Sequence, residues 1–104
     1  MNINAVAAIK VLKMVQMSAV KYKLMPTGLD IDLDLLKTKI QTKLTEFGGI
    51  FGEAEEKPIA FGLKALVVSF AFPEEKEIDE VGNALETING VSSVEMIDYR
   101  RAIG

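Results

Sequence analysis

Val20, Tyr22 and Leu24 alternate with Lys21 and Lys23, the period-two pattern of a strand with one buried face, and Pro26-Thr27-Gly28 then supplies turn chemistry. A first strand is predicted over residues 19–25. Leu33, Leu36, Ile40, Leu44 and Phe47 follow at spacings of three and four, which predicts a helix. Asp30, Asp32 and Asp34 suit the positive end of its dipole, and Gly48-Gly49 suits its C-terminal cap. Residues 50–56 are weakly patterned and rich in glutamate, as on an edge strand or extended loop, where charge discourages unwanted pairing. Pro58 marks the end of this stretch. Residues 63–72 are apolar on both faces, which puts them in the sheet interior. Pro73 and Glu74-Glu75-Lys76-Glu77 then open a second helix with Ile78, Val81, Leu85 and Ile88 as its buried stripe, closed by Asn89-Gly90. Residues 91–99 read as a last strand, with Val94 and Met96 on one face and Ile97 and Tyr99 on the other. Arg100 and Arg101 are left just beyond it.

Strand, helix, strand, strand, helix, strand is the order of an α+β, ferredoxin-like βαββαβ sandwich. It predicts a four-stranded antiparallel sheet with two helices on one face. A chain of 104 residues fits one such domain and buries roughly two-thirds of its unfolded surface. No internal repeat extends beyond the pseudo-symmetry of this pattern. Residues 1–17 read as an N-terminal extension that Lys10 and Lys13 interrupt, too short and too charged to span a bilayer and without the frame of a signal peptide. Ala5, Val6, Ile9 and Leu12 fall at roughly helical spacing there. Met17 directly precedes the first strand and is the expected native start, leaving residues 18–104 as the domain.

With no cysteine and no histidine, the chain has no thiolate or imidazole to hold zinc, build a disulfide or ligate an iron–sulfur cluster. Redox and histidine-based acid–base chemistry are excluded with them, no cofactor is expected, and a cytoplasmic home is the simpler reading. A net charge of −3 argues against broad attraction to nucleic acid or an anionic membrane.

The chemistry-bearing groups narrow the field further. Gly48-Gly49-Ile50-Phe51-Gly52 lacks the Gly-Lys-Ser/Thr end of a P-loop and follows a helix instead of preceding one. Residues 25–30 contain no arginine with which an acylphosphatase would hold phosphate on this fold. The carboxylates at Asp30, Asp32 and Asp34, and at Glu74, Glu75, Glu77, Asp79 and Glu80, sit at helix N-termini, where dipole compensation explains them without a ligand. No basic–aromatic interleaving suggests an RNA platform: Phe70 and Phe72 read as core, and Lys37, Lys39 and Lys43 as a solvated helix face. Two features remain. Phe61 stands where a charged loop meets the apolar strand, between Pro58, which stiffens the approach, and Gly62, which permits close contact with another backbone. It is either a core ring capping the sheet edge, the ordinary fate of a lone apolar residue, or a ring offered to a partner. Arg100 and Arg101 are either a solvated tail or a contact for an acidic or phosphate-bearing surface.

Three blocks carry a resemblance. They are the run from Glu56 through Pro58, Phe61, Gly62 and Lys64 to Leu66, the Ile88-Asn89-Gly90-Val91-Ser92-Ser93-Val94 segment, and the Asp98-Tyr99-Arg100-Arg101 ending. Together they make the chain, from about Ser18 onward, similar to the archaeal elongation factor 1-beta family, guanine nucleotide exchange factors for the translation GTPase elongation factor 1-alpha. The resemblance implies a ferredoxin-like exchange domain that is not an enzyme. It implies a partner contact at Pro58, Phe61, Gly62 and Lys64, and a C-terminal end, with Arg100 and Arg101, that approaches the partner's magnesium and phosphate site. Eukaryotic relatives place a lysine at the penultimate position, where this chain has Ile103. The other reading is an ACT-like regulatory module that binds a small molecule at Met25-Pro26-Thr27-Gly28-Leu29.

Overall fold

A computed structural model of the chain describes residues 16–101. The expected extension therefore lies outside the described residues except for Gln16 and Met17. Six main elements follow in order: β1 (Met17–Pro26), α1 (Leu33–Glu46), β2 (Ile50–Pro58), β3 (Lys64–Pro73), α2 (Ile78–Glu86) and β4 (Val91–Arg101). The strands pair antiparallel in the order β2-β3-β1-β4, so the apolar β3 is internal and the glutamate-rich β2 is an edge, as its composition predicts.

Alternation on β1 and β3 sends Val20, Tyr22, Leu24, Leu66, Val68, Phe70 and Phe72 to one face. There they meet Leu36, Ile40 and Leu44 of α1 and Val81, Leu85 and Ile88 beyond and within α2, forming a single core under both helices. Phe70 and Phe72 are core rings, packed edge to face with centroids 6.4 Å apart. The helix starts differ. Asp32 caps α1, its Oδ1 accepting from the backbone N–H groups of Asp34 (3.0 Å) and Leu35 (3.2 Å). Gly48, at φ 86°, ends the helix in the left-handed conformation expected of a C-terminal glycine. Pro73 does not open α2, contrary to the sequence reading. It is the last residue of β3, and a turn over Glu74–Lys76 precedes the helix, which starts at Ile78.

Bulges account for the two strands with poor alternation. Phe51 faces Phe70 and Glu53 faces Ser69, so Gly52 is an extra residue on β2. A Cβ on Gly52 would lie 2.9 Å from the Ser69 carbonyl oxygen, a close approach that only glycine allows. On β4, Lys21 faces Asp98 and Tyr22 faces Met96, which makes Ile97 the extra residue. The expected faces of β4 are corrected accordingly. Val94, Met96 and Tyr99 all stand opposite core-facing residues of β1 (Leu24, Tyr22 and Val20), and Tyr99 does not share a face with Ile97. The Ser18 hydroxyl reinforces that placement by donating to the Tyr99 hydroxyl oxygen at 3.1 Å.

Candidate functional site

Phe61 is 92% exposed, which overturns its reading as a core ring. It lies in a single 3-10 turn (Ala60–Gly62) joining the edge strand β2 to the internal strand β3. The turn is closed by the Ile59 N–H donating to the Leu63 carbonyl (2.8 Å) and the Leu63 N–H donating to the Ala60 carbonyl (3.3 Å). Phe61 itself has φ 63° and ψ 28°, and among the described residues it is the one non-glycine with positive φ. A bulky L-residue pays strain in this left-handed region, on the order of 1–2 kcal/mol. Gly62 follows at φ 78°, so two successive left-handed residues turn the ring outward. The close neighbour of Gly62 is a side chain and not a second backbone: a Cβ there would lie 3.6 Å from Leu29 Cδ2.

Pro58 ends β2. Lys64 opens β3 and extends to Glu56, with Nζ 3.6 Å from a carboxylate oxygen that also has Lys37 Nζ nearby at 3.0 Å on its other oxygen. The hydrogen bond from Lys37 lowers the pKa of Glu56, with its Coulombic attraction and that of Lys64 adding to the effect. The same bond raises the pKa of Lys37 against a small opposing effect of desolvation. Lys37 is thus tied to β2 and is not simply part of a solvated helix face. Pro26, Leu29, Ile31, Leu33, Gly62 and Lys64 are among the residues around a cavity of about 190 Å³ beneath this end of the sheet.

Arg100 and Arg101 do not lie beyond the last strand, as the sequence reading placed them. They are its final two residues, paired with Ala19 and Ser18. Both side chains are largely exposed. Arg100 Nε is 3.3 Å from Asp98 Oδ2, and Arg101 Nε is 3.6 Å from Glu74 Oε1. Such exposed pairs hold a guanidinium loosely, leaving it available for exchange onto another anion. Beside them, on the sheet face without helices, runs a shallow groove of about 550 Å³ floored by Ala19, Lys21, Gly52, Ser69 and Ala71.

The six expected contact residues therefore form two groups and not one site. Ser18, the partner of Arg101, faces Phe72 at one end of β3, while Phe61 lies just before Lys64 at the other. At about 3.3 Å per residue along β3, the groups are roughly 26 Å apart. The sequence reading passed over Leu29 as a contact, although it is 70% exposed in the β1–α1 loop. Its one legible signal is a leucine set between Gly28 and Asp30 in an otherwise polar turn. Among the described residues no cluster of acidic side chains is arranged to hold a metal ion, and no helix is long and apolar enough to cross a membrane.

Comparison with known proteins gives these surfaces a context. The family described as the EF-1 guanine nucleotide exchange domain matches residues 19–101. Among the relatives is an elongation factor 1-beta of Methanosarcina barkeri, 38% identical over 84 residues that cover 80% of this chain and 94% of that protein. Elongation factor 1-beta of Methanococcoides burtonii is 40% identical over 86 residues, covering 82% and 96% of the two chains. That of Staphylothermus marinus is 43% identical over 76 residues, covering 71% and 83%. A family match spanning both contact groups and every strand, together with these relatives of nearly full coverage, shows that the chain belongs to the elongation factor 1-beta family of guanine nucleotide exchange domains.

Proposed function

We propose that this protein promotes exchange of GDP for GTP on elongation factor 1-alpha, with Phe61 as one contact and the Arg100–Arg101 end as another. The observation that carries the reading is the Phe61 ring, solvent-exposed on a strained but hydrogen-bonded turn within the family-matched region. Exposed aromatic rings held in place at no ordering cost make strong interface anchors. Backbone strain of this kind persists where a function uses it.

No covalent step is needed. A factor that binds the nucleotide-free GTPase more tightly than the nucleotide-bound form must, by linkage, weaken nucleotide binding by the same factor. Cations near a magnesium site disfavour the metal by like-charge repulsion, and Arg100 and Arg101 supply two at the strand tip. A rigid sheet with contacts at both ends converts such a pair of attachments into a fixed spacing that one GTPase conformation matches and another does not. Translation elongation places this activity in the cytoplasm. The sequence segment Met25 to Leu29, considered for an ACT-like ligand turn, is instead the flank of the Phe61 end.

The direct test is release of labelled GDP from elongation factor 1-alpha with and without the protein. Acceleration that grows with protein concentration is expected, and a release rate indifferent to the protein would reject the reading.

A further inference from the structure

We propose that Leu29 is a second anchor at the Phe61 end, so that the contact there is a two-pronged apolar surface that fits an apolar pocket on the GTPase. This inference rests on the reading of the chain as an exchange factor for elongation factor 1-alpha. The two side chains come from different connections, Leu29 from β1–α1 and Phe61 from β2–β3. Leu29 lies against Gly62, the neighbour of Phe61, and is 70% exposed beside a ring that is 92% exposed.

Single exposed leucines are ordinary, whereas adjoining large apolar groups on separate, fixed loops mark an interaction surface. Both loops are fixed. The Thr27 N–H donates to the Gly90 carbonyl at 2.9 Å, tying the β1–α1 loop to the start of β4, and the Asp32 cap ends that loop on α1. The Phe61 turn is closed by its own two backbone bonds. Binding through this pair therefore orders little chain. Lys64, which lines the same cavity as Leu29, and Asp30 beside it provide the polar rim that such contacts carry. Gly62 has a role in both prongs. Its left-handed φ turns out Phe61, and its missing side chain leaves the space that Leu29 fills.

The test measures binding of nucleotide-free elongation factor 1-alpha to wild type, Leu29→Ala, Leu29→Met, Phe61→Ala and Ile97→Ala, with thermal unfolding of each. Leu29→Ala is expected to weaken binding on the order of tenfold at unchanged melting temperature. Leu29→Met should recover most of that loss, and Ile97→Ala, exposed on the far edge strand, should bind as wild type. If Leu29→Ala binds within threefold of wild type while Phe61→Ala is weakened, the second anchor is overturned and the exchange reading stands. If wild type itself fails to bind the GTPase, both fall. Concentration-dependent self-association of the free protein that Leu29→Ala abolishes would also overturn the proposal, assigning the patch to a second copy of the chain.

Discussion

Replacing Phe61 with glycine should make the protein more stable and less active at once. The ring is 92% exposed and belongs to no part of the core, so its removal forfeits almost no buried area. Its backbone, at φ 63°, carries the left-handed penalty of an L-residue, on the order of 1–2 kcal/mol. Glycine abolishes that penalty but gives the unfolded chain extra freedom, roughly 0.4–1 kcal/mol. The balance favours Phe61→Gly by about 0.5–1 kcal/mol, or about 2–8 °C in melting temperature for a domain of this size. Phe61→Ala keeps the Cβ and hence the strain, so its melting temperature should match wild type. Both variants should slow stimulated GDP release alike, because both lack the ring. Circular dichroism melts and single-turnover GDP release on the three proteins make the comparison. The reasoning fails if glycine is no more stable than alanine, or if alanine costs the ~3–5 kcal/mol typical of truncating a core phenylalanine.

Other outcomes are equally direct. Neutralising Arg100 and Arg101 together to glutamine should slow exchange more than neutralising Lys39 and Lys43, an equal change in charge on α1, and equal effects would reduce the arginines to bulk electrostatics. Tyr22 is buried, donates to the Ile78 carbonyl at 3.3 Å, and has its pKa pushed from 10.0 up to about 12 by burial first, then by Asp79 and Tyr99. Its contribution is therefore complete below pH ~10 and is lost as pH rises toward ~12, a loss of about 2–3 kcal/mol that Tyr22→Phe should remove from denaturant titrations run across that window. Gly52→Ala should destabilise by roughly 1–3 kcal/mol in urea unfolding, since its Cβ would press on the Ser69 carbonyl at 2.9 Å, and a neutral result would show that the β2 bulge yields freely.

The elements legible in the chain are those whose side chains keep one period throughout. β1 and β3 alternate cleanly, α1 and α2 place their apolar residues three and four apart, and the sheet order follows from those four and the turn residues. β2 and β4 break period because Gly52 and Ile97 are each an extra residue, and a one-residue insertion reverses every apparent face after it. The residue types near Phe61 named the right segment, but its exposure depends on a dihedral angle. Nothing in Pro58-Ile59-Ala60-Phe61-Gly62 dictates that a phenylalanine, and not only the glycine, takes positive φ. Leu29 escaped for a related reason, because an apolar residue in a turn is distinguished from a core residue only by what the two loops place beside it.

The bulge at Ile97 also sets the polarity of the strand tip. Counted from Met96, an unbroken strand would turn Tyr99 to the open face, Arg100 toward the helices and Arg101 outward again. The extra residue reverses all three, pairing Tyr99 with Val20 on the core side and Arg100 with Ala19 on the open side. The two guanidinium groups consequently leave the sheet in opposite directions, Arg101 toward Glu74 and Arg100 over the open face beside Asp98. Position 97 thus acts as a reading frame for the C-terminal end. Its side chain is free to vary, since it is exposed, but deleting the residue would exchange the two cations and drive a charge into the space that Tyr99 occupies.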